Sequence, residues 1–398
     1  MISESEAVRR ILRTLQPLAI EQISVGAAAI GRFVAQDFFA CRNAPEFDNS
    51  AFDGYAVRSA DCSGNCPTKL RLAGEQAAGI DRQLTLQAGT AIRIFTGAPV
   101  PNGADAVIMQ EEVALSSDGY VTFSEPVECG QCIRRAGGDL QCGQKVLSRS
   151  DRLTARKLSL LASQGLVEVA AHRLPRVAVL STGDELAQPG SSLQQGQLYE
   201  SNSTMLLAML NDMGMNANYL GIARDEVADL QGRIEKGLGN DVLIISGGVS
   251  VGERDLVQKI LLAIGAQVHF WQVAMKPGKP FLFSTHNNCA VFGLPGNPVS
   301  SFVTFLKLVR PALLHLAGAE ELSLPVFPAK LSHDLANSGD RPHYIRGNLI
   351  DKCFYPLRKQ ESHALYGLSS SNALVKIEAN SKIKAGQEIL VEILPANF

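Results

Sequence analysis

Residues in the middle of the chain alternate between short, almost continuously apolar runs and segments with the spacing of an amphipathic helix. Apolar strands that alternate with helices are typical of a parallel sheet that helices cover on both faces. The pattern therefore predicts an α/β domain over residues 173–320. Its predicted strands lie at 176–181, 217–222, 241–246, 267–271 and 290–294, and its predicted helices at 203–213, 226–238, 255–264 and 299–317.

The pattern changes on both sides of this domain. Residues 45–135 contain short alternating runs between turns, such as AIRIF at 91–95 and YVTF at 120–123. Such runs predict an inserted β-rich domain. Residues 321–398 alternate in the same way, which predicts a small β-barrel or sandwich.

Helical spacing appears around the β-rich insertion. Ser3 and Glu6 form a capping-box pair before the first helical run. A second helix is predicted from Ser24 and a third from Thr154. A helical, elongated domain is therefore predicted from residues 1–44 and 136–172.

The charge balance excludes two classes of partner. The 398 residues include 37 basic and 39 acidic side chains, for a net charge of −2, which leaves no footprint for nucleic acid or an anionic membrane surface. The most apolar long segment, 301–319, carries Lys307, Arg310 and His315, which favours a buried helix over a membrane span. The acidic N-terminus lacks the apolar core of a signal peptide, so a cytoplasmic protein is expected.

Several of the eight cysteines are spaced as zinc ligands can be. They are the pairs Cys62/Cys66 and Cys129/Cys132, with Cys142 nearby. Dispersed buried or free thiols explain the same residues and are the favoured interpretation.

Three loops follow the carboxyl ends of predicted parallel strands, where open α/β sheets bind ligands. They are STGDEL at 181–186, SGGVSVGERD at 246–255 and GLPGNPVSS at 293–301. Glycine lets the backbone approach a ligand closely, and free N–H groups at the start of a helix attract anions. A single such turn is common, but three at one sheet edge predict a ligand site.

The segment MKPGKPFLF at 275–283 adds positive charge to this region. Lys276 and Lys279 are separated by Pro and Gly, which cannot continue a helix, so their ammonium groups are held near each other. Two exposed lysines on a solvated loop are the plainer interpretation. Beside the three loops an anion site is favoured, and nearby carboxylates would suit a bridging Mg²⁺.

The stretch PEFDNSAFDGYAV at 45–57 combines turn residues with three aromatic side chains. Phe47, Phe52 and Tyr55 are predicted to pack around Asp53 and to position its carboxylate. Spacing alone leaves a structural and a functional role equally open for Thr96, for Asp139 with Arg134 and Arg135 as its ion-pair partners, and for Arg346.

Taken together, these motifs resemble those of the molybdenum insertase family, the MoeA type, over essentially the whole chain. The matching words are DNSAFDGYAV, IRIFTGAPVPNGADAVIMQEE, STGDEL, SGGVSVGERD, KPGKPF and GLPGNPVS. The resemblance implies a pterin-binding α/β domain, a helical segment with an inserted β domain, and a C-terminal β-barrel. It also implies an elongated homodimer with its active site between subunits.

The implied reaction inserts molybdenum from molybdate into adenylylated molybdopterin and releases AMP in the presence of Mg²⁺. Matching the motifs residue by residue implies that the catalytic residues are Asp53, Thr96, Asp139, Glu185, Asp255, Lys276 and Lys279. It implies that the metal ligands are Asp184, Glu185 and Asp255. The implied substrate-binding residues are Ser246, Gly247, Gly248, Asp225, Pro295, Asn297, Pro298, Ser300 and Arg346.

This reaction suits the residue chemistry. Molybdate is a tetrahedral dianion, which lysines, an arginine and a helix start can hold. Loss of an oxo group as water needs protons, and an acid with a raised pKa is the hypothesised source.

The chain departs from the family pattern at three places. Phe52 stands where the family usually has Met, and Gly138 where it commonly has Glu. Tyr366 and Gly367 stand where related bacterial sequences have a serine pair, which puts the contribution of that segment in doubt.

Two other functions stay open. One is a molybdopterin adenylyltransferase, because that activity resides in a domain similar to the α/β part. The other is a non-enzymatic dimeric scaffold, because relatives of this domain set cluster proteins. The full-length match, with its acids and both lysines, favours the insertase, and its expected protein partners are the adenylyltransferase and downstream cofactor-maturation proteins.

Overall fold

The computed structural model describes residues 1–62, 67–249 and 256–395. The described residues form two compact units. The larger unit comprises Met1–Gln36, Arg149–Ala162 and Leu166–Phe398, and the smaller unit comprises Asp37–Ser148 and Ser163–Gly165. The finer division into four domains stays a prediction.

A six-stranded sheet of described residues lies at the centre of the larger unit. All five predicted strands are present and run in one direction. A sixth strand begins at the end of the lysine-bearing segment and was not predicted. Across the sheet the strands are Ala217–Ala223, Val177–Thr182, Val242–Ser246, Cys289–Leu294, Leu282–His286 and Gln267–Trp271.

The unpredicted strand Leu282–His286 runs against all the others. A two-residue turn, with Asn287 at φ 50°, joins it to Cys289–Leu294. A link this short can join only antiparallel strands, whereas parallel neighbours need a long crossover. The predicted parallel sheet is therefore a mixed sheet.

Helices cover both faces of this sheet, as predicted. Side chains of a strand alternate between two buried apolar clusters, with Val177 and Val179 in one and Ala178 and Leu180 in the other. The first cluster includes side chains from the helices Glu4–Thr14, Asn202–Asp212 and Pro298–Leu316. The second includes side chains from Val227–Gly237 and Leu256–Ala263.

The helix Pro298–Leu316 contains one irregular turn. Phe305–Val309 forms a π-helical turn, and Pro311 follows one residue after it. Proline lacks an N–H donor and crowds the preceding turn, which explains the irregular hydrogen bonding at this point. The helix has the length and hydropathy of a membrane span, but 78% of it is buried inside the protein. The prediction of a buried helix is confirmed.

The N-terminal helix Glu4–Thr14 starts as predicted, with the Ser3 side chain accepting from the Glu6 N–H at 3.2 Å. The predicted helix Ala155–Ser163 is also present. The helix predicted from Ser24 is wrong. After Ser24 the chain forms only the short 3-10 turn Ala27–Ala29, and the residues before it, Ile20–Ser24, are a strand that pairs antiparallel with Glu168–His172.

The C-terminal region of the larger unit forms a closed barrel. Its apolar centre includes Leu331, Ile345, Phe354 and Val391. In order around the barrel the strands are Val326–Leu331, Cys353–Pro356, His343–Ile350, Ala373–Ile377 and Glu388–Ile393. The pair Leu335–Asn337 with Ser381–Ile383 and the short helix Leu365–Ser369 complete it.

The smaller unit is β-rich, as predicted. Its largest sheet is made of Ala106–Met109, Gly54–Val57, Thr90–Ile94, Thr68–Gln76, Tyr120–Phe123 and Ala114–Leu115, in that order. Two short antiparallel pairs accompany it, Ile133–Arg134 with Asn49–Ser50 and Lys145–Leu147 with Phe38–Phe39.

Candidate active site

A cavity of about 830 Å³, the strand-end cavity, opens at the carboxyl ends of the parallel strands. This is the edge at which open α/β sheets bind ligands. The structure brings most of the predicted residues of the three loops together on its wall. They are Glu185, Ser246, Gly247, Gly248, Pro295, Asn297 and Pro298, and the predicted Asp225, from the loop after Ala217–Ala223, lies on the same wall.

Hydrogen bonds connect the loop 181–186 to the loop that follows the strand Ala217–Ala223. The Thr182 hydroxyl donates to Asp225 Oδ1 at 2.9 Å, and the Asp225 N–H donates to Asp184 Oδ1 at 3.1 Å. Asp184 therefore holds the loops together. The described carboxylates on the cavity wall are Glu185, Asp225 and Glu200, and the buried Glu200 accepts hydrogen bonds from the N–H and the hydroxyl of Ser203.

The glycine-rich turn after Val242–Ser246 depends on close backbone contact. Gly247 has φ +97°, and a Cβ there would lie 2.4 Å from the Thr182 carbonyl oxygen. No larger residue fits without moving one of the two loops. The turn is therefore fixed in position against the neighbouring strand.

Asn202 joins this site without having been predicted. Its side-chain amide donates to Ser246 Oγ at 2.9 Å and to the Gly296 carbonyl at 2.7 Å, so it bridges two of the three loops. In a sequence, an asparagine at the start of a helix usually indicates a helix cap. The position of Asn202 in the sequence therefore gave no indication that it contacts the ligand loops.

A second cavity, of about 650 Å³ and called here the cationic cavity, adjoins the first and shares Pro280, Pro295 and Asn297 with it. Among the described residues, the side chains of Lys276 and Lys279 form no ion pair. Their positive charge is thus available to an anion. The wall holds the predicted Lys276, Lys279 and Ser300, together with Arg341, His343 and Arg358, which were not predicted.

The backbone holds the two lysines in place. The Lys276 N–H donates to the Pro342 carbonyl at 2.8 Å, and the Val273 N–H donates to the Lys279 carbonyl at 3.0 Å. These hydrogen bonds fix both ends of the Pro-Gly link between the two lysines, which the sequence predicted to be rigid.

Arg346 lies outside both cavity walls. Its side chain is 1% exposed and donates to the carbonyls of Lys359, Glu361 and Ala364 at 2.9–3.1 Å. It thereby holds the barrel loop 357–364, whose Ser362 contacts Asn297 at 3.1 Å. A substrate contact of Arg346 stays a prediction, and its position supports a role through this loop.

Asp53 and Thr96 form a tight pair in the smaller unit. Asp53 Oδ1 accepts from the Thr96 N–H at 2.8 Å and from the Thr96 hydroxyl at 2.7 Å. These hydrogen bonds lower the pKa of Asp53. Asp53 is therefore not the hypothesised acid with a raised pKa.

The aromatic side chains near Asp53 do not all pack as predicted. Tyr55 is buried in the sheet, but Phe47 is 47% exposed and Phe52 49% exposed. Phe47 and Phe52 lie outside the strand that holds Tyr55, so the sheet core does not cover them. Thr96, and not an aromatic cluster, positions Asp53.

Asp139 lies on the wall of a separate cavity of about 480 Å³, beside Arg134 and Arg135. Ion pairing of Asp139 with these arginines was one of the two roles left open, and Arg135 pairs with Asp48 at 2.6 Å. A hydrogen bond from the Ala136 N–H, and then the one from Arg135, lower the pKa of Asp48.

No group of three or more His, Cys, Asp or Glu side chains able to hold a metal is present in the described part of the chain. Asp255 and Cys66, which were among the predicted ligands, lie outside the described residues. Burial raises the pKa of the Cys62 thiol to about 11, whereas zinc binds the thiolate. The zinc interpretation of the cysteines is weakened accordingly.

Comparison with known families agrees with this architecture. Residues 178–315, which carry the strand-end cavity loops, match the model of a probable molybdopterin binding domain. Residues 2–165 match the MoeA N-terminal region, domains I and II, and residues 328–394 match the MoeA C-terminal region, domain IV. The chain belongs to the MoeA family.

Relatives and solved structures extend over the full length. A molybdopterin molybdenumtransferase of Haemophilus influenzae is 38% identical, with 98% of each chain covered. One of Nostoc is 37% identical over 92% of this chain and 87% of the relative. The crystal structure of a molybdopterin biosynthesis MoeA protein from Pyrococcus horikosii matches with a TM-score of 0.83 at 31% identity, covering 99% of both chains.

Proposed function

We propose that the protein transfers molybdenum to molybdopterin in molybdenum cofactor biosynthesis. The observation that carries the proposal is the pair of adjoining cavities in the larger unit, one with carboxylates and glycine-rich turns and one with cations. Full-length similarity to relatives named molybdopterin molybdenumtransferase supports it.

The two cavities suit two substrates that must meet. Adenylylated molybdopterin would lie in the strand-end cavity, where Gly247 brings the backbone close to a ligand. Molybdate would lie in the cationic cavity, because Lys276, Lys279 and two arginines surround a space fit for a tetrahedral dianion. The shared wall at Pro295 and Asn297 would bring the dithiolene and the oxyanion together.

Mg²⁺ fits the donor chemistry of the strand-end cavity. Glu185 and Asp225 offer hard carboxylate oxygens on its wall, and Mg²⁺ is usually held by one or two carboxylates, waters and substrate phosphates. Bound there, it would neutralise charge on the phosphoanhydride during release of AMP. Glu185 and Asp225 would orient the nucleotide, and the Thr182 hydroxyl holds Asp225 in place.

A homodimer would complete the site. Asp53 and Thr96 lie on the smaller unit beside Phe52, whose side chain is about half exposed, and a partner subunit would cover this side chain where it meets Asp53. In this proposal Asp53 is donated to the active site of the partner subunit. The dimer would act in the cytoplasm and receive its pterin substrate from the adenylyltransferase.

An AMP-release assay tests the function. Purified protein with adenylylated molybdopterin, molybdate and Mg²⁺ should release AMP and yield active cofactor, and omission of molybdate should abolish the cofactor. Rapid adenylylation of molybdopterin by ATP would favour the adenylyltransferase instead. No AMP from the complete mixture, with the protein folded and dimeric, would favour the scaffold.

A further inference from the structure

His343 lies on the wall of the cationic cavity, with 8% of the residue exposed. Its Nε2 is buried and has no hydrogen-bond partner among the described residues. A buried polar atom without a partner costs free energy, so native structures leave few of them. When such an atom belongs to a residue on a cavity wall, we expect a bound ligand to supply the missing hydrogen-bond partner.

The backbone places His343 directly beside Lys276. The Tyr344 N–H donates to the Lys276 carbonyl at 2.8 Å, and Lys276 and His343 pair in a parallel bridge. Residues paired in register point to the same side. The imidazole therefore neighbours a lysine already expected to hold the oxyanion.

The surroundings of His343 are strongly cationic. Burial, and then the charges of Lys276, Arg346 and Arg341, lower the pKa of His343 to about 4. The other charged groups of the cavity wall are Lys279, Arg358 and Glu361, and Asp340 pairs with Arg341 at 3.4 Å from an exposed position. In the free protein the imidazole is thus neutral at neutral pH.

A dianion in the cavity reverses this balance. Two negative charges beside the imidazole favour its protonated form and oppose the effect of the cations. The pKa of His343 then rises on binding, so the oxyanion binds together with a proton. By linkage, affinity for the dianion increases as pH falls, by at most about tenfold per pH unit for one proton.

We propose that His343 contacts the bound oxyanion through a ring nitrogen and takes up a proton from solvent when the dianion binds. The inference rests on the proposed function, in which this cavity holds molybdate. The proton would then pass from the imidazolium N–H to an oxygen of the anion, which leaves a neutral imidazole and a protonated oxygen. His343 would thereby supply the proton that Asp53, with its lowered pKa, does not.

Calorimetric titration of the full chain with molybdate tests this inference. Titrations at one pH in two buffers of different ionisation enthalpy give the number of protons taken up. The wild-type protein should take up a fraction of one proton and bind more tightly as pH falls. His343→Gln keeps an amide donor but cannot titrate, so it should bind without proton uptake, and His343→Leu should bind about tenfold more weakly or worse.

His333→Gln is the matched control. His333 is exposed on the barrel, where its Nδ1 pairs with Ser332 Oγ at 2.8 Å, and it lies outside the cationic cavity. This variant should retain wild-type affinity and proton uptake. Thermal unfolding of each variant separates a binding effect from a folding defect.

Several outcomes overturn the inference. Molybdate binding to the wild-type protein without proton uptake would do so without any variant, as would equal uptake by wild type and His343→Gln. Either result, together with molybdate-dependent AMP release, leaves the proposed function intact. Uptake that depends on His343, in a protein that releases no AMP, would instead retain the inference and remove the function.

Discussion

At the scale of single residues, hydrogen bonds fix the charge state of a carboxylate that we propose to be functional. Asp53 accepts two hydrogen bonds from Thr96, and these lower the pKa of its carboxyl. A carboxyl with a lowered pKa stays ionised above its ordinary titration range and is protonated only as pH falls through the lowered value. Asp53 is therefore an anion at neutral pH, and in the proposed reaction a different residue would supply the proton.

Thr96→Val should shift the acid limb of activity. The substitution removes the hydroxyl donor, so the pKa of Asp53 rises toward its ordinary value and AMP release is lost at a higher pH than in the wild type. At neutral pH the rate should fall several-fold. Thr96→Ser keeps the hydroxyl and should retain the wild-type profile, while an unchanged profile for Thr96→Val would contradict the role of this pair.

Asp241→Asn should destabilise the larger unit. Burial alone raises the pKa of Asp241, but hydrogen bonds from Arg173 and Arg176 outweigh it and hold the pKa at about 2. The stabilisation is present above the ordinary pKa near 3.8 and is lost as pH falls toward 2. Urea unfolding at neutral pH should show a loss of about 2 kcal/mol.

Asp118→Asn provides the comparison for this measurement. Asp118 also pairs with a cation, Lys69, but both side chains are more than half exposed. Such a pair contributes about 0–1 kcal/mol. Equal losses for the two variants would show that burial of Asp241 adds nothing.

At the scale of elements, two loops position the site. The turn at Gly247 is pressed against the Thr182 carbonyl, and the barrel loop 357–364 is held by the buried Arg346. Neither loop could tolerate much change, because each is fixed by contacts to a different strand.

Gly247→Ala should cost at least about 1–2 kcal/mol, since an L-residue at φ +97° is strained and its Cβ would overlap a carbonyl oxygen. AMP release should fall further than stability, because the turn lines the strand-end cavity. Gly232→Ala, at an open helical position, should be neutral or slightly stabilising. Wild-type activity and stability for Gly247→Ala would contradict the close approach.

Arg346→Met should loosen the barrel loop. Three carbonyl groups lose their hydrogen-bond donor, which should cost about 1–3 kcal/mol of folding free energy. The KM for molybdate should rise more than kcat falls, because Arg358 and Ser362 on this loop line the cationic cavity. Denaturant unfolding and steady-state kinetics measure both effects. Lys359→Met, exposed on the same loop, should change stability little.

Most elements could be predicted because their signals are local. Apolar strands such as Val242–Ser246 and the capped helix Glu4–Thr14 carry their own patterns. The strand Leu282–His286 was missed because proline and glycine precede it, and Ile20–Ser24 was missed because its partner lies about 150 residues away. The local pattern of residues in one segment does not reveal which distant segment it will pair with.

At the scale of the whole molecule, the site depends on segments far apart in the chain. Loop residues such as Glu185 and Asn297 belong to recognisable motifs. Arg341, His343 and Arg358 do not, because the barrel brings them to the lysines only in the folded chain. Sequence reasoning could therefore find the strand-end cavity, but of the cationic cavity it found only the two lysines, Ser300 and the shared residues Pro295 and Asn297.

Mixing two inactive variants should restore activity if the proposed homodimer shares its sites. Asp53→Ala and Lys279→Ala each damage every site of their own dimers, but a mixed dimer has one intact site. An equal mixture with random exchange should regain about a quarter of wild-type AMP release. Confirmed subunit exchange without any recovery would contradict the shared site.

The wall common to the two cavities, at Pro280, Pro295 and Asn297, has a thermodynamic consequence. If a nucleotide in one cavity changes the affinity for an oxyanion in the other, the oxyanion must change the affinity for the nucleotide by the same factor. Asn297, tied to Ser362 of the barrel loop, is where such coupling would pass. In a protein built in this way, the concentration of molybdate would change the affinity for the pterin nucleotide by the same factor, and in the same direction, as the nucleotide changes the affinity for molybdate.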